Sequence, residues 1–204
     1  MSGIIAQNSG RHTGLVKASS GGGGVWNLIK TYTASSDSDL SFVEGTDGID
    51  FTAYDEFVFK FINIHPETDG AEFTVNFRDG STAYDATKTT TVFRAYHNEA
   101  DTATSLGYRT GSDLAQSTAV QLLNGNVGGD NDQCLVGTLT LYAPSSTTFV
   151  KHFISRTNVI KSDDQSQEKY VAGYCNTTTA IDGVQFSMSE DSIQSGVIKM
   201  YGVL

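Results

Sequence analysis

Proline is almost missing, at 2 of 204 residues, and cysteine is as scarce, at 2. So little proline excludes a collagen-like chain or a Pro-rich linker protein. Cys134 and Cys175 lie far apart, with neither a CxxC motif nor histidines at metal spacing, so no disulfide framework or zinc knuckle is indicated, and both are read as buried free thiols. No apolar run is long enough to span a bilayer. The first residues lack a basic stretch followed by an apolar core, so no signal peptide is expected and the chain is expected to be made in a cytosol. Bases are outnumbered, 13 against 23 acids, and a net charge of −10 disfavours a protein that grips duplex nucleic acid by neutralising its phosphates. A nucleophile elbow, a P-loop, a dinucleotide fingerprint, an HExxH helix and an EF-hand loop are also absent. No catalysis and no cofactor are expected.

What is present points to β-structure. Ser and Thr together make 45 residues and Gly 21, while 11 Phe and 9 Tyr supply large units of burial in a chain only 38% apolar. In Glu72–Arg78, Phe73, Val75 and Phe77 alternate with Glu72, Thr74, Asn76 and Arg78, the period of a half-buried strand. Glu56–Ile64 is apolar on almost both faces, and the turn-rich His65–Gly70 after it predicts a hairpin with Glu72–Arg78. Further strands are expected over Val25–Thr33, Thr89–His97, Cys134–Tyr142, Thr147–Arg156, Tyr170–Cys175, Gly183–Met188 and Gly196–Val203, nine or ten in all. Two interruptions, Asn98–Asp132 with a possible helix at Asp113–Leu123 and Ser162–Glu168, are where a β-scaffold would carry a variable surface. Strands without alternating long helices imply an all-β antiparallel sandwich or jelly roll.

The ends differ in kind. Residues 1–36 carry Arg11, Lys17 and Lys30 and no acid, and Gly21–Gly24 interrupts any regular structure. The chain therefore divides into an N-terminal arm and hinge, 1–24, and a β-sandwich domain, 25–204. The arm is either a frayed tail or a segment that orders on a partner. Ile4, Ile5, Leu15 and Val16 are more apolar than a solvating tail needs, so with Arg11 and Lys17 they form the candidate partner-binding set. His152 is read as a core or face histidine of a strand rather than a base, and Asp130-Asn131-Asp132 as a solvated turn rather than a cation site.

Several blocks carry a resemblance: NSGRHTGLVKA (Asn8–Ala18), FVFKFINIHP (Phe57–Pro66), FTVNFRDGSTAYD (Phe73–Asp85), SSTTFVKHF (Ser145–Phe153), YVAGYCNTTTAIDGVQFSMS (Tyr170–Ser189) and GVIKMYGV (Gly196–Val203). Over most of its length the chain resembles small virion structural proteins of tailed bacteriophages, marine ones especially. The last block resembles the closing strand of a jelly-roll domain, with Ile193–Gly196 as the turn before it. The resemblance implies membership of a virion, on its surface, and brings no catalytic residues. Two functions follow as expectations. One is a capsid decoration or cement protein whose arm lies on the major capsid protein or another virion protein, and whose domains associate as a homotrimer. The other is a tail fibre or adhesin domain that binds host-surface glycans through aromatics such as Tyr108 or Tyr142. Neither involves nucleic acid or a membrane. Strands apolar on both faces, expected at Phe57–Ile64, Cys134–Tyr142 and Gly196–Val203, would place apolar rows at subunit contacts.

Overall fold

The structure is a computed structural model that describes residues 26–203. Twelve strands and no helix occur in them: β1 (Trp26–Asp37), β2 (Asp39–Val43), β3 (Glu56–Pro66), β4 (Phe73–Arg78), β5 (Lys88–Asn98), β6 (Thr104–Tyr108), β7 (Gln121–Asn124), β8 (Leu135–Tyr142), β9 (Lys151–Ile160), β10 (Gln165–Cys175), β11 (Gly183–Met188) and β12 (Ile193–Val203). They form two open antiparallel sheets, an eight-stranded one in the order β1-β12-β3-β8-β9-β10-β5-β6 and a four-stranded one in the order β2-β11-β4-β7. The chain is thus a β-sandwich, as the strand pattern predicts. Setting aside the hairpins β5-β6 and β9-β10 leaves β1-β12-β3-β8 with β2-β11-β4-β7, two four-stranded sheets in jelly-roll-like order. The two hairpins pair with each other through β5 and β10 and widen one sheet only.

The core lies between the sheets, and phenylalanine dominates it. Nine of the eleven Phe are buried, because alternation sends Phe57, Phe59 and Phe61 of β3, Phe73 and Phe77 of β4 and Phe186 of β11 to the same interior. Phe186 is the hub: its ring centroid lies 5.3 Å from Phe59, 5.1 Å from Phe61 and 5.9 Å from Phe73, so one side chain from the small sheet meets β3 of the large sheet and its own neighbour β4. Edge-to-face and offset arrangements of this kind add to the burial itself.

Several local expectations are corrected. β3 and β4 do not form a hairpin: β3 pairs with β12 and β8, β4 with β11 and β7, and the segment between them crosses from one sheet to the other through Gly70, whose φ is +82°. Two-faced burial suits β3 to the middle of the wide sheet, where its backbone is paired on both sides. Asp113–Leu123 is not helical. Its backbone bonds sideways to β5, through Lys88 N–H to Ser117 O (2.8 Å) and Thr90 N–H to Leu114 O (2.9 Å), and Gln121 onward is strand β7. Ser162–Glu168 is no long loop, since Asp164 at φ +54° turns the chain tightly and β10 begins at Gln165. Ile193–Gly196 belongs to β12: Ile193 pairs with Pro66 and Asp37, and the strand is bulged rather than turned there. At Gly196, φ +125°, a Cβ would stand 2.7 Å from Asn63 O, so only glycine fits the bulge. Of the three strands expected to be apolar on both faces, β3 and β12 carry apolar residues on both, and β8 buries one face only. β8 buries Leu135, Leu139 and Leu141 and turns Val136 and Tyr142 outward, while β12 buries Ile198 and Met200 with Val197, Tyr201 and Val203 half-buried. The thiols also differ: Cys175 is buried, but Cys134 is only half-buried, with Sγ 3.9 Å from Asn63 Oδ1, because it precedes β8 instead of lying within it.

Two outcomes follow. Phe186→Ala removes the ring that joins the sheets and should cost about 3–5 kcal/mol in urea unfolding. A cost near that of a surface substitution would show that the neighbouring rings close the gap. With a thiol reagent, Cys134 should label in the folded protein and Cys175 only on unfolding, and reductant should leave the melting temperature unchanged. Labelling of both at one rate would contradict this.

Candidate functional site

The partner-binding set expected from the sequence, Ile4, Ile5, Arg11, Leu15, Val16 and Lys17, lies outside the described residues. Of the other residues that the sequence singles out, His152 faces outward on β9 with its ring 5.8 Å from that of Tyr174, a face histidine. Asp130, Asn131 and Asp132 make an exposed turn closed by Gln133 N–H to Asp130 O, and His65 Nε2 also lies 3.1 Å from that carbonyl. Among the described residues, no group of three or more His, Cys, Asp or Glu could hold a metal ion.

The sequence did not single out the places where the chemistry gathers, and both lie on the inserted hairpins. Alternation on β5 turns Lys88, Thr90, Val92 and Arg94 one way and Thr89, Thr91, Phe93 and Ala95 the other. The apolar ring of Phe93 therefore points to solvent while the guanidinium of Arg94 points toward the small sheet. On β10 the same side carries Gln167, Lys169, Val171 and Cys175. Register places Arg94 opposite Lys169, and Cys175 between Lys88 and Lys151.

The first gathering is a polar pocket of about 200 Å³ between the inserted hairpins and β7. Arg94 from β5, Arg109 just after β6, Lys161 at the β9–β10 turn and Lys169 from β10 line it, facing Glu72 from the segment before β4. A chain of buried amides holds its floor. Arg94 Nη1 donates to Gln167 Oε1 (2.6 Å), Gln167 Nε2 to Asn124 Oδ1 (2.6 Å), Asn124 Nδ2 to Thr157 Oγ1 (3.1 Å), and Thr157 Oγ1 to Leu123 O (3.0 Å). Each of these interior polar atoms is satisfied, so the chain can fix the guanidinium in place. Burial above all pushes the Lys169 ammonium down to about 8; Glu72 opposes it as the next largest influence, and the cations Arg94, Arg109 and Lys161 each add a lesser downward push. Burial and then Arg109 likewise lower Arg94.

The second gathering is sealed. Lys88, Lys151 and Cys175 are all fully buried side by side at the other end of the same strands. Lys88 Nζ donates to Asn76 Oδ1 (2.5 Å) and Ala86 O (2.7 Å), and Lys151 Nζ to Phe149 O (3.2 Å) and Thr177 O (2.9 Å). Burial pushes Lys88 down to about 8 and the Cys175 thiol up to about 12, so the sulfur is a protonated, inert neighbour of two cations and not an activated nucleophile.

Opposite this interior, the outer face of the wide sheet carries a row in register across six strands: Tyr108, Phe93, Tyr170, Arg156, Thr138 and Lys60. Phe93 and Tyr170 stack with centroids 4.6 Å apart, and Arg156 lies over Tyr170 while pairing with Glu168. Leu106, Ile154 and Val136 are exposed on the same strands. Compared with known families and with curated proteins, the chain matches no family model and no curated protein sequence.

The buried ammonium groups give the fold a pH signature. Lys88 and Lys169 hold their protons less tightly folded, at about 8, than at their ordinary 10.5, so unfolding takes up protons between those values and stability rises with pH across that window. Below it both lysines are charged in either state and the penalty is constant. Cys175 acts oppositely above its ordinary 9, because only the unfolded thiol ionises there. Urea midpoints should therefore climb as pH is raised from about 7 to about 9, and the combined variant Lys88→Met with Lys169→Met should flatten that slope. An unchanged slope in the variant would show that other groups cause it.

Proposed function

We propose that this protein is a non-enzymatic structural component of a virion, a decoration or cement protein on the surface of a phage particle. It is made in the bacterial cytoplasm and assembles by protein contact. The outer face of the eight-stranded sheet carries this reading. Among the described residues no strand covers it, and Phe93 (44% exposed), Tyr108 (53%), Ile154 (50%) and Leu106 (74%) stand on it together, the kind of exposed apolar grouping that marks an interaction surface. An exposed row of this composition suits contact with further copies or with a shell protein, where aromatic and Arg side chains concentrate binding energy. A homotrimer is the closed form proposed, with three N-terminal arms reaching the underlying major capsid protein through Arg11, Lys17 and the apolar Ile4, Ile5, Leu15 and Val16. Three tethered arms bind far better together than one alone.

The stacked Phe93–Tyr170 pair beside Tyr108 favours a second reading, a tail fibre or adhesin domain that holds host-surface glycans on that aromatic platform. Copy number per particle separates the two, being high for a cement protein and low for a fibre.

In sedimentation, the full chain should run as a trimer, and Phe93→Ser combined with Ile154→Ser should give a folded monomer. Added to particles that lack the protein, the full chain should bind in a salt-sensitive way, and the chain without residues 1–20 should not. A monomeric wild type, or binding that survives removal of the arm, would overturn the proposal.

A further inference from the structure

The cationic pocket has no part in that assembly reading and stands without it. All four of its cations come from the inserted hairpins or the segments that join them, while the jelly-roll-like frame contributes the opposing Glu72 and the rim at Leu122 and Gly125. Lys161 is partly neutralised, with Nζ 2.9 Å from the Asp163 carboxylate and 3.2 Å from Gln165 Oε1. Arg94, Arg109 and Lys169 are not: none has an ion-pair partner within 4 Å among the described residues. They leave a surplus of positive charge at the pocket over Glu72, in a protein whose net charge is −10. Lys169 is the decisive residue. The residue is 96% buried, it lines the cavity, and its ammonium finds neither a carboxylate nor a hydrogen-bond acceptor among the described residues. Three cations held together in this way repel one another, and a compact anion would offset that cost.

We propose that this pocket binds a tetrahedral oxyanion, the phosphate or sulfate group of a hydroxyl-rich ligand. Arginine forks offer several N–H donors in a plane to such a group, and a lysine adds a point charge from below. Arg94 is held ready by Gln167 and the amide chain behind it. The pocket shares Glu72, Arg109, Ser112 and Leu122 with an adjoining cavity of about 340 Å³ that Thr74, Asp113 and Gly111 also line. The larger cavity sets two carboxylates, Glu72 and Asp113, with Thr74 and Ser112 against Leu114, Val120 and Leu122, so it suits a ring that donates hydroxyls on one side and shows C–H on the other. A bare halide would fill neither cavity.

The full chain is titrated calorimetrically at one ionic strength with sodium phosphate, sodium sulfate, sodium chloride, a hexose monophosphate and a hexose monosulfate. Saturable binding of phosphate or sulfate but not chloride is expected, with the corresponding hexose ester about tenfold tighter as the second cavity fills. The two ester arms decide between phosphate and sulfate. Arg109 is exposed, so R109Q keeps the fold and should weaken binding about tenfold, the loss of one charge-assisted contact. K169M should weaken it as much or more while raising stability, because a buried, unpaired charge has gone. Binding should also fall as pH rises through about 8, where Lys169, which faces Arg94, Arg109, Lys161 and Glu72 in the pocket, loses its proton. An equal response to chloride, no gain from either ester, or undiminished binding in both R109Q and K169M overturns the proposal.

Discussion

The mismatch between an eight-stranded sheet and the four strands packed on it is the constraint on which the rest of the molecule depends. Four strands cover the jelly-roll-like half, where Phe42, Phe59, Phe61, Phe73 and Phe186 can pack ring against ring. Little of them extends over the strands that the inserted hairpins add: β7 lies against β9 and β10, and Phe77 of β4 meets Phe153 of β9. There the inner surface is closed by β7 and by residues 112–121, which lie across β5 and hydrogen-bond to it. An irregular segment brings backbone polar groups with it, and these must be met by partners. That is why the interior changes character along β5, β9 and β10, from phenylalanine to Thr90, Gln121, Asn124, Thr157 and Gln167, all buried and all bonded to one another or to backbone.

This polar interior is also what lets the chain bury lysine. Lys88 and Lys151 sit at one end of the widened region with carbonyl and amide oxygens around them, and Lys169 sits at the other beside Arg94. A hydrophobic core would expel such groups or strip their protons, at several kcal/mol each. The same two hairpins thus supply an interior that tolerates charge and an exterior that shows aromatic rings, because the alternation that turns Arg94 inward turns Phe93 outward. Burial of the Phe-rich frame and presentation of chemistry are carried by different parts of one sheet. The hairpins can therefore vary without disturbing the aromatic hub around Phe186.

The legible part of the fold is the part in which one strand's own pattern suffices. The alternation in Phe73–Arg78 and the run Phe57–Phe61 identify β4 and β3, the scarcity of proline and the absence of long amphipathic stretches fix the all-β class, and the resulting β-sandwich is the one observed. The sequence was misleading wherever the deciding partner is distant. Asp113–Leu123 has a composition compatible with a helix, yet its hydrogen bonds go to β5, more than twenty residues away. His65–Gly70 has the chemistry of a hairpin turn, yet the chain crosses there to the other sheet, because β12 and β8 occupy both edges of β3.

The candidate site shows the same division more sharply. The sequence by itself determined that the chain is acidic, that its basic residues are few, and that no familiar catalytic motif is present. Only the tertiary structure decided that Arg94, Arg109, Lys161 and Lys169 meet, since they are spread over 76 residues of chain, 94 to 169 inclusive, and belong to separate strands and turns. Antiparallel register brings Arg94 beside Lys169, and the tight turn at Asp164 brings in Lys161. Register between strands depends on pairings and turns far from either residue, so it leaves no mark in the local sequence.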